Sequence, residues 1–327
     1  MIIIKRGENM LFSKINHTNL SASKLVLGTA SYGTYINRED SFQLLDRFTE
    51  LGGNIIDTAL VYSDWADGEK SASEKTIGRW MNKRNNRKDM IISTKGGHHD
   101  IHTSAPRLNT KCITEDLQKS LENLQTDYID IYWLHKDDVN QDPEELIEML
   151  NESAPQQYAH YYGVSNWTYD RIKKANAHAA KKGLRPIIAS QIMYSIAEVN
   201  YVDAGILAMD NNEYEKYCTD DLSLFGFSSQ ARGFFAIMAA NGEEALPPSA
   251  KRDFINERNL KILERLNETS IAKNVTVSDL VLATLVGDKK LNTFAQIGPK
   301  NVAELEVSVQ SMNVSLTEKE RNYILAK

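Results

Sequence analysis

Short apolar runs alternate along this chain with stretches whose apolar residues recur at helical spacing. Leu25-Val26-Leu27-Gly28, Ile55-Ile56, Met90 to Thr94, Tyr128 to Leu134, Ala159 to Val164, Ile187 to Gln191, Leu222 to Phe227 and Phe294 to Gly298 read as strands. Between them, Phe42, Leu45, Phe48 and Leu51 mark a helix that Gly52-Gly53 ends. Ser73 to Met81, Ile113 to Leu124, Tyr169 to Lys181, Leu260 to Ile271 and Ser278 to Val286 mark further helices, with Gly183 as a cap. Asn301 to Met312 and Thr317 to Leu325 close the chain as helices. Strands that take turns with helices predict a parallel α/β barrel. The interval from Ser195 to Asp221 is long for a plain connection, so residues 196–220 read as an insertion near the rim, with helical turns at Glu213 to Tyr217.

Three consecutive strands end on chemistry-bearing residues. Ile55-Ile56 stops at Asp57 with Tyr62 just beyond, the next run reaches Lys95, and Tyr128 to Leu134 reaches His135. In a parallel barrel those strand ends converge on one face. Taken singly, Asp57 fits a strand-end cap, Tyr62 a rim residue, Lys95 a surface cation and His135 a satisfied polar group. Four compatible groups on neighbouring strand ends favour a shared site. The loop His98-His99-Asp100-Ile101-His102 offers ligands that zinc accepts, or it lines the rim.

The 327 residues suit one barrel, with residues 1–9 as an extension and 10–327 as a single domain. A formal charge of −6 argues against nucleic-acid and membrane-surface partners. No stretch reaches transmembrane length, and the apolar part of Met1 to Arg6 is too short for a signal peptide. Cys112 and Cys218 are too few and too far apart for a disulfide framework or a zinc motif, so a cytoplasmic location is expected.

Gly28-Thr29, Ile56-Asp57-Thr58-Ala59 with Tyr62, Ser120-Leu121 through Asp127-Tyr128-Ile129-Asp130, and Gly163-Val164-Ser165-Asn166-Trp167 follow one another in the order found in aldo-keto reductases. From about Met10 to the C-terminus the chain resembles that family. The resemblance implies a (β/α)8 TIM barrel, with an N-terminal hairpin over Met10 to Ser23 closing its floor and extra C-terminal helices. It also implies NAD(P)H-dependent reduction of a small aldehyde, ketone or sugar-like substrate to an alcohol.

In that reading Tyr62 is the general acid, Lys95 tunes it, Asp57 holds Lys95, and neutral His135 positions the carbonyl. An ammonium about 4 Å from the phenol, at an effective dielectric of ~20, favours the phenolate by on the order of 4 kcal/mol, roughly 3 pKa units before desolvation opposes it. Gly28, Thr29, Asp57, Ser165, Asn166 and Gln191 fall where the family meets the nicotinamide end. Phe227 replaces a stacking tyrosine. Ser228, Ser229, Gln230 and Arg232 resemble the pyrophosphate loop, with Ser229-Gln230 in place of Pro-Leu. Gly298, Lys300, Glu304 and Ser308 resemble the adenosine end, although Glu304 and Ser308 stand where relatives carry Gln or Arg and Asn. Lys300 favours NADPH, with NADH as the alternative. Tyr32, Trp65, His98, Trp133 and Trp167 are the expected substrate-pocket residues. Two other classes fit parts of the pattern: a cofactor-binding sensor barrel with little turnover, and a metal-dependent hydrolase or isomerase built on His98, His99 and His102.

Overall fold

The computed structural model describes residues 10–101, 103 and 105–326, so the 1–9 extension lies outside the described residues. Strands β1 (Phe12–Lys14) and β2 (Ser21–Ser23) pair antiparallel as the expected hairpin. Eight parallel strands follow: β3 (Leu25–Gly28), β4 (Ile55–Asp57), β5 (Ile91–Gly96), β6 (Ile129–Leu134), β7 (Ala159–Ser165), β8 (Ile187–Met193), β9 (Ser223–Phe227) and β10 (Thr293–Ile297). They pair in chain order, and β10 closes on β3 as a barrel.

Alternate residues of each strand point inward. Val26, Ile55, Ile91, Ile131, Trp133, Ile188, Ala189, Phe225 and Phe294 fill the barrel, and Ile15 and Ala22 of the hairpin segment plug its floor. Phe225 lies between Trp133, edge-on at 5.1 Å, and Phe294, stacked at 4.9 Å. Gly163 makes room for the indole, since a Cβ there would overlap the Trp133 ring. Burying each such side chain contributes about 2 kcal/mol, which is why the lumen is a packed core and not a pore.

The outward strand residues pack beneath the helices. The helix Arg38–Glu50 starts where Asn37 accepts the Asp40 N–H, and it buries Leu44, Leu45 and Phe48. Three helices go beyond the sequence reading: Pro143–Ser153, Phe234–Asn241 and Pro248–Phe254. The first carries an overlooked signal, since Asp142 accepts the Glu144 N–H and Pro143 occupies the first turn. Within the 196–220 segment the helix runs Asn211–Tyr217, and backbone bonds to Met193 from Leu207 and Met209 pin the preceding stretch to β8. Among the described residues, no single helix is long and apolar enough to cross a membrane.

Lys24, between the hairpin and β3, is half-buried. Its Nζ donates to Asn292 Oδ1 at 2.9 Å and Thr293 O at 3.0 Å, and it lies 4.9 Å from the centre of the Phe294 ring. Burial lowers its pKa from 10.5 to about 8. Between those two values the unfolded chain holds the proton more tightly than the native state, so stability rises with pH there; below about 8 the penalty is complete, about 3 kcal/mol. Lys24→Met removes this penalty and loses two hydrogen bonds worth ~1 kcal/mol each. Urea unfolding should therefore show the variant more stable at pH 7 by about 1 kcal/mol, and less stable once the wild-type amine is neutral. Unfolding curves whose difference does not change with pH would show that Lys24 carries no such penalty.

Candidate active site

The inward alternation that fills the barrel with apolar side chains continues one step higher and turns polar. The next inward positions are Gly28 after Val26, Asp57 after Ile55, Lys95 beyond Ile91 and Ser93, and His135 after Trp133. Ser165 follows Gly163, Gln191 follows Ala189, Phe227 follows Phe225, and Gln296 follows Phe294. Strand ends from all eight strands thus meet at one face.

Asp57 is fully buried, and its carboxylate accepts from four side chains. Oδ1 receives Ser93 Oγ at 2.6 Å and Gln191 Nε2 at 3.1 Å; Oδ2 receives Lys95 Nζ and Gln296 Nε2, the latter at 2.7 Å. Lys95 is equally buried and uses all three of its donors, on Asp57, on Thr58 O at 2.7 Å and on the Tyr62 hydroxyl at 2.9 Å. The turn bearing Tyr62 is tied to β5 by Thr58 N to Ser93 O and Leu60 N to Lys95 O. Thr29 supports the same corner and does not face an open groove: it is fully buried, with its hydroxyl on Asp57 O and Ser73 Oγ.

The electrostatics correct one expectation. Lys95 does favour the Tyr62 phenolate, but burial outweighs it and holds the phenol above its ordinary pKa. Lys95 is raised as well: burial opposes its charge, and Asp57 and Tyr62 together more than offset that. His135 is held well below the usual imidazole range, by burial first and by the Lys95 charge second, so the ring is neutral at physiological pH. Its Nδ1 is buried without a partner. The His135 ring lies 5.7 Å from Tyr62 and 4.7 Å from His98, both edge-on.

The mouth is partly aromatic. Trp65, 52% exposed, meets Tyr62 edge-on at 6.0 Å and lines a cavity of about 370 Å³ with Thr34, Tyr35, Ala66 and Asp67. A larger cavity, about 490 Å³, lies on the outer surface between the helices Arg38–Glu50 and Ala72–Arg84. The strand-end groups line neither cavity, and the smaller one adjoins them through Trp65, which meets Tyr62. Three expected pocket residues lie elsewhere. Trp133 is sealed inside the barrel below His135, while Tyr32 and Trp167 are buried in the layer between strands and helices. Strand and turn aromatics went to the packed core because it removes their large apolar surface from water. Among the described residues, no three His, Cys, Asp or Glu side chains converge as metal ligands; His102 lies outside them.

The remaining expected cofactor positions form an arc over β7 to β10. Asn166, with φ +63°, donates to Ser165 Oγ at 3.1 Å and accepts the Leu207 N–H at 3.1 Å. After β9, Ser228, Ala231 and Arg232 have positive φ, and Ser229 Oγ donates to Gln296 O at 2.7 Å. Gln230 lies between them, half-buried. Arg232 pairs with buried Asp253 at 2.6 Å, so its charge is already matched. Gly298 and Lys300 are exposed. Glu304 accepts the Lys300 backbone N–H at 2.9 Å while Asn301 accepts that of Glu304, a reciprocal cap, and Ser308 Oγ donates to Glu304 O. Glu304 therefore closes a helix start and makes no ion pair with the Lys300 side chain.

Gln296 was not singled out in the sequence, although its signal was available: it stands two residues beyond inward-facing Phe294. It also favours the ionised form of Tyr62, and a Cβ on Gly28 would meet its Nε2 at 2.9 Å. The Asp57 carboxylate fixes which end of the amide is nitrogen, which leaves Gln296 Oε1 buried and unpartnered. Near Gln191, which reaches the same carboxylate, that free acceptor suits a ligand carrying an amide, as nicotinamide does.

A parallel barrel with an Asp, Tyr, Lys and His array at its strand ends defines a class of carbonyl-reducing enzymes. The model for the aldo/keto reductase family matches residues 24–327, and the chain belongs to that family. It is an oxidoreductase, of a family that uses nicotinamide cofactors. It is 29% identical over 314 residues to an aryl-alcohol dehydrogenase from Pestalotiopsis microspora, covering 91% of this chain and 77% of that one. It is 28% identical over 312 residues to norsolorinic acid reductase from Aspergillus flavus, covering 91% and 76%. A crystal structure of the thermostable aldo-keto reductase Tm1743 with the inhibitor epalrestat superposes with a TM-score of 0.73 at 22% identity, covering 96% and 98%, which shows the shared fold.

Gln296→Leu should lower kcat about tenfold, since it strips one donor from Asp57 and removes a polar group that favours the Tyr62 phenolate. The loss of that stabilisation of the phenolate also moves the alkaline limb of the pH–rate profile upward. A tenfold loss with an unmoved limb would assign Gln296 to packing alone.

Proposed function

We propose that this chain is an NADPH-dependent reductase of small carbonyl compounds, with Tyr62 as the general acid. The observation that carries this reading is the single buried ammonium of Lys95 shared between Asp57 and the Tyr62 hydroxyl. A nicotinamide cofactor, when bound, supplies the hydride. The chain's own residues handle the oxygen end. Tyr62 holds a proton on its hydroxyl oxygen at neutral pH, because its pKa is raised. As negative charge develops on the carbonyl oxygen, the phenol gives that proton up, and the phenolate left behind faces the Lys95 ammonium at 2.9 Å. Neutral His135, beside Tyr62, keeps a ring nitrogen for the carbonyl oxygen and adds no competing charge. Asp57 keeps Lys95 charged and aimed.

Ser165, Asn166, Gln191 and Gln296 would hold the carboxamide end of the cofactor, Phe227 would stack on its ring, and Gly28 leaves the floor open. The Ser228 to Arg232 loop would follow the pyrophosphate, and Lys300 would meet a 2′-phosphate. The names of the relatives and the Trp65 and His98 rings at the mouth support an aromatic aldehyde or ketone as substrate.

Tyr62→Phe should retain cofactor affinity and lose reduction by about 10²- to 10⁴-fold, the range of general acid catalysis; near-normal turnover would remove Tyr62 from its role. Because Tyr62 is raised and His135 lowered, reduction should be flat in pH from about 6 to 8, with the falling limb in the alkaline range where the phenol ionises. A second limb near pH 6.5 would mean that His135 titrates.

Cofactor choice follows from the exposed Lys300. NADPH should bind more tightly than NADH by about 1 kcal/mol at low salt, less at high salt. Glu304→Gln keeps an acceptor for the cap and removes a nearby negative charge, so it should widen the gap; Lys300→Ala should close it. Titrations with equal affinities in all three proteins would show that this helix does not read the 2′ position.

A further inference from the structure

Lys136 follows catalytic His135 at the end of β6 and is half-buried. Among the described residues its Nζ has one polar contact, the Gly205 carbonyl at 3.5 Å, which leaves an ammonium with three donors poorly satisfied. No carboxylate among the described residues pairs with it. The acids beside it are committed elsewhere: Asp137 to Arg171 at 2.7 Å, and Asp138 to the Asn140 backbone and the Gln141 amide. The carboxylate that acts on it through space, Asp203, is exposed and faces Arg252 at 3.9 Å. Partial burial lowers the Lys136 pKa, and its charge helps to hold His98 and His135 neutral. This partly desolvated cation near His98 and His135 thus has no directly paired carboxylate among the described residues.

The topology says which molecule would bring one. In the barrel order β6 stands opposite β10 and three strands from β9, whose loops are the ones assigned above to the cofactor phosphates. Lys136, at the end of β6, acts through space on His135 and His98, so a carbonyl compound held by His135 would bring the rest of its molecule within reach of this ammonium. We propose that Lys136 anchors a carboxylate on the substrate, so that the preferred substrates are anionic aldehydes or ketones with the carboxylate a short span from the carbonyl. This rests on the reductase reading. One ammonium, already touching a carbonyl, matches a monoanion better than a phosphate dianion, which calls for several donors.

The test measures kcat/KM with NADPH for 3- and 4-carboxybenzaldehyde, their neutral methyl esters, and 4-formylphenyl phosphate, in the wild type, Lys136→Met and Lys136→Arg. The readout is the ratio of acid to ester, in which any loss of folded enzyme cancels. For at least one ring position the wild-type ratio should exceed that of Lys136→Met about tenfold and fall with added salt, while Lys136→Arg keeps most of it. Equal ratios in the wild type and Lys136→Met, with all esters reduced, would overturn the carboxylate anchor and leave the reductase reading intact. A phosphate preferred over both carboxylates would overturn the choice of anion. If no aldehyde is reduced by any protein, the reductase reading falls, and this inference with it.

Discussion

Two opposite charges, Asp57 and Lys95, sit fully buried at the top of the barrel, and much of the site follows from keeping them there. Each ion taken alone would cost several kcal/mol to bury. The arrangement is tenable because every hydrogen of the ammonium has an acceptor and the carboxylate has four donors. The third acceptor is the Tyr62 hydroxyl, so the geometry that satisfies a buried lysine also fixes the phenol. Ser93, Gln191 and Gln296 reach the same carboxylate from three different strands. The closed barrel is therefore what assembles the pair, and the pair in turn fixes the turn after β4.

The same burial decides which direction of proton transfer the resting site is set for. A phenol at an exposed rim beside an ammonium would ionise more easily than free tyrosine. Here the loss of water around Tyr62 outweighs the ammonium, and the phenol keeps its proton. That suits an acid in reduction. In the proposed reduction the Lys95 charge would act after the proton has left, when an anion at 2.9 Å replaces a neutral oxygen. His135 obeys the same rule with the opposite sign: burial and a nearby cation both disfavour its charged form.

The barrel and its four strand-end groups were legible because they rest on local patterns. Apolar runs stop at a charged or polar residue, and parallel strands bring such stops together. The hairpin, the eight strands and the helix within the 196–220 segment all appear within a few residues of their expected places. What was not legible depends on which neighbour a side chain meets. Nothing local separates Trp65, which reaches the mouth, from Trp133 and Trp167, which fill the core. The sign of the Tyr62 shift depends on how much water the fold removes. Arg232 meets its partner Asp253 21 positions further along the sequence, which no short motif encodes. Gln296 is the exception, since period-two alternation from Phe294 marks it as inward-facing.

The least regular part of the chain proves to be tied to the site at two points. Asn166 has a left-handed backbone, which asparagine tolerates better than most residues, and its side-chain oxygen takes the N–H of Leu207. That choice turns its amide nitrogen toward Ser165. Two residues earlier in the same loop, the Gly205 carbonyl meets Lys136. Leu207 and Met209 also bond to Met193 of β8, so the stretch is held by the barrel before it reaches either contact. A single segment thus orients the Asn166 amide and touches the Lys136 cation. Its length is then not surplus: a two- to six-residue connection from β8 could not reach both β6 and β7 while returning to β9.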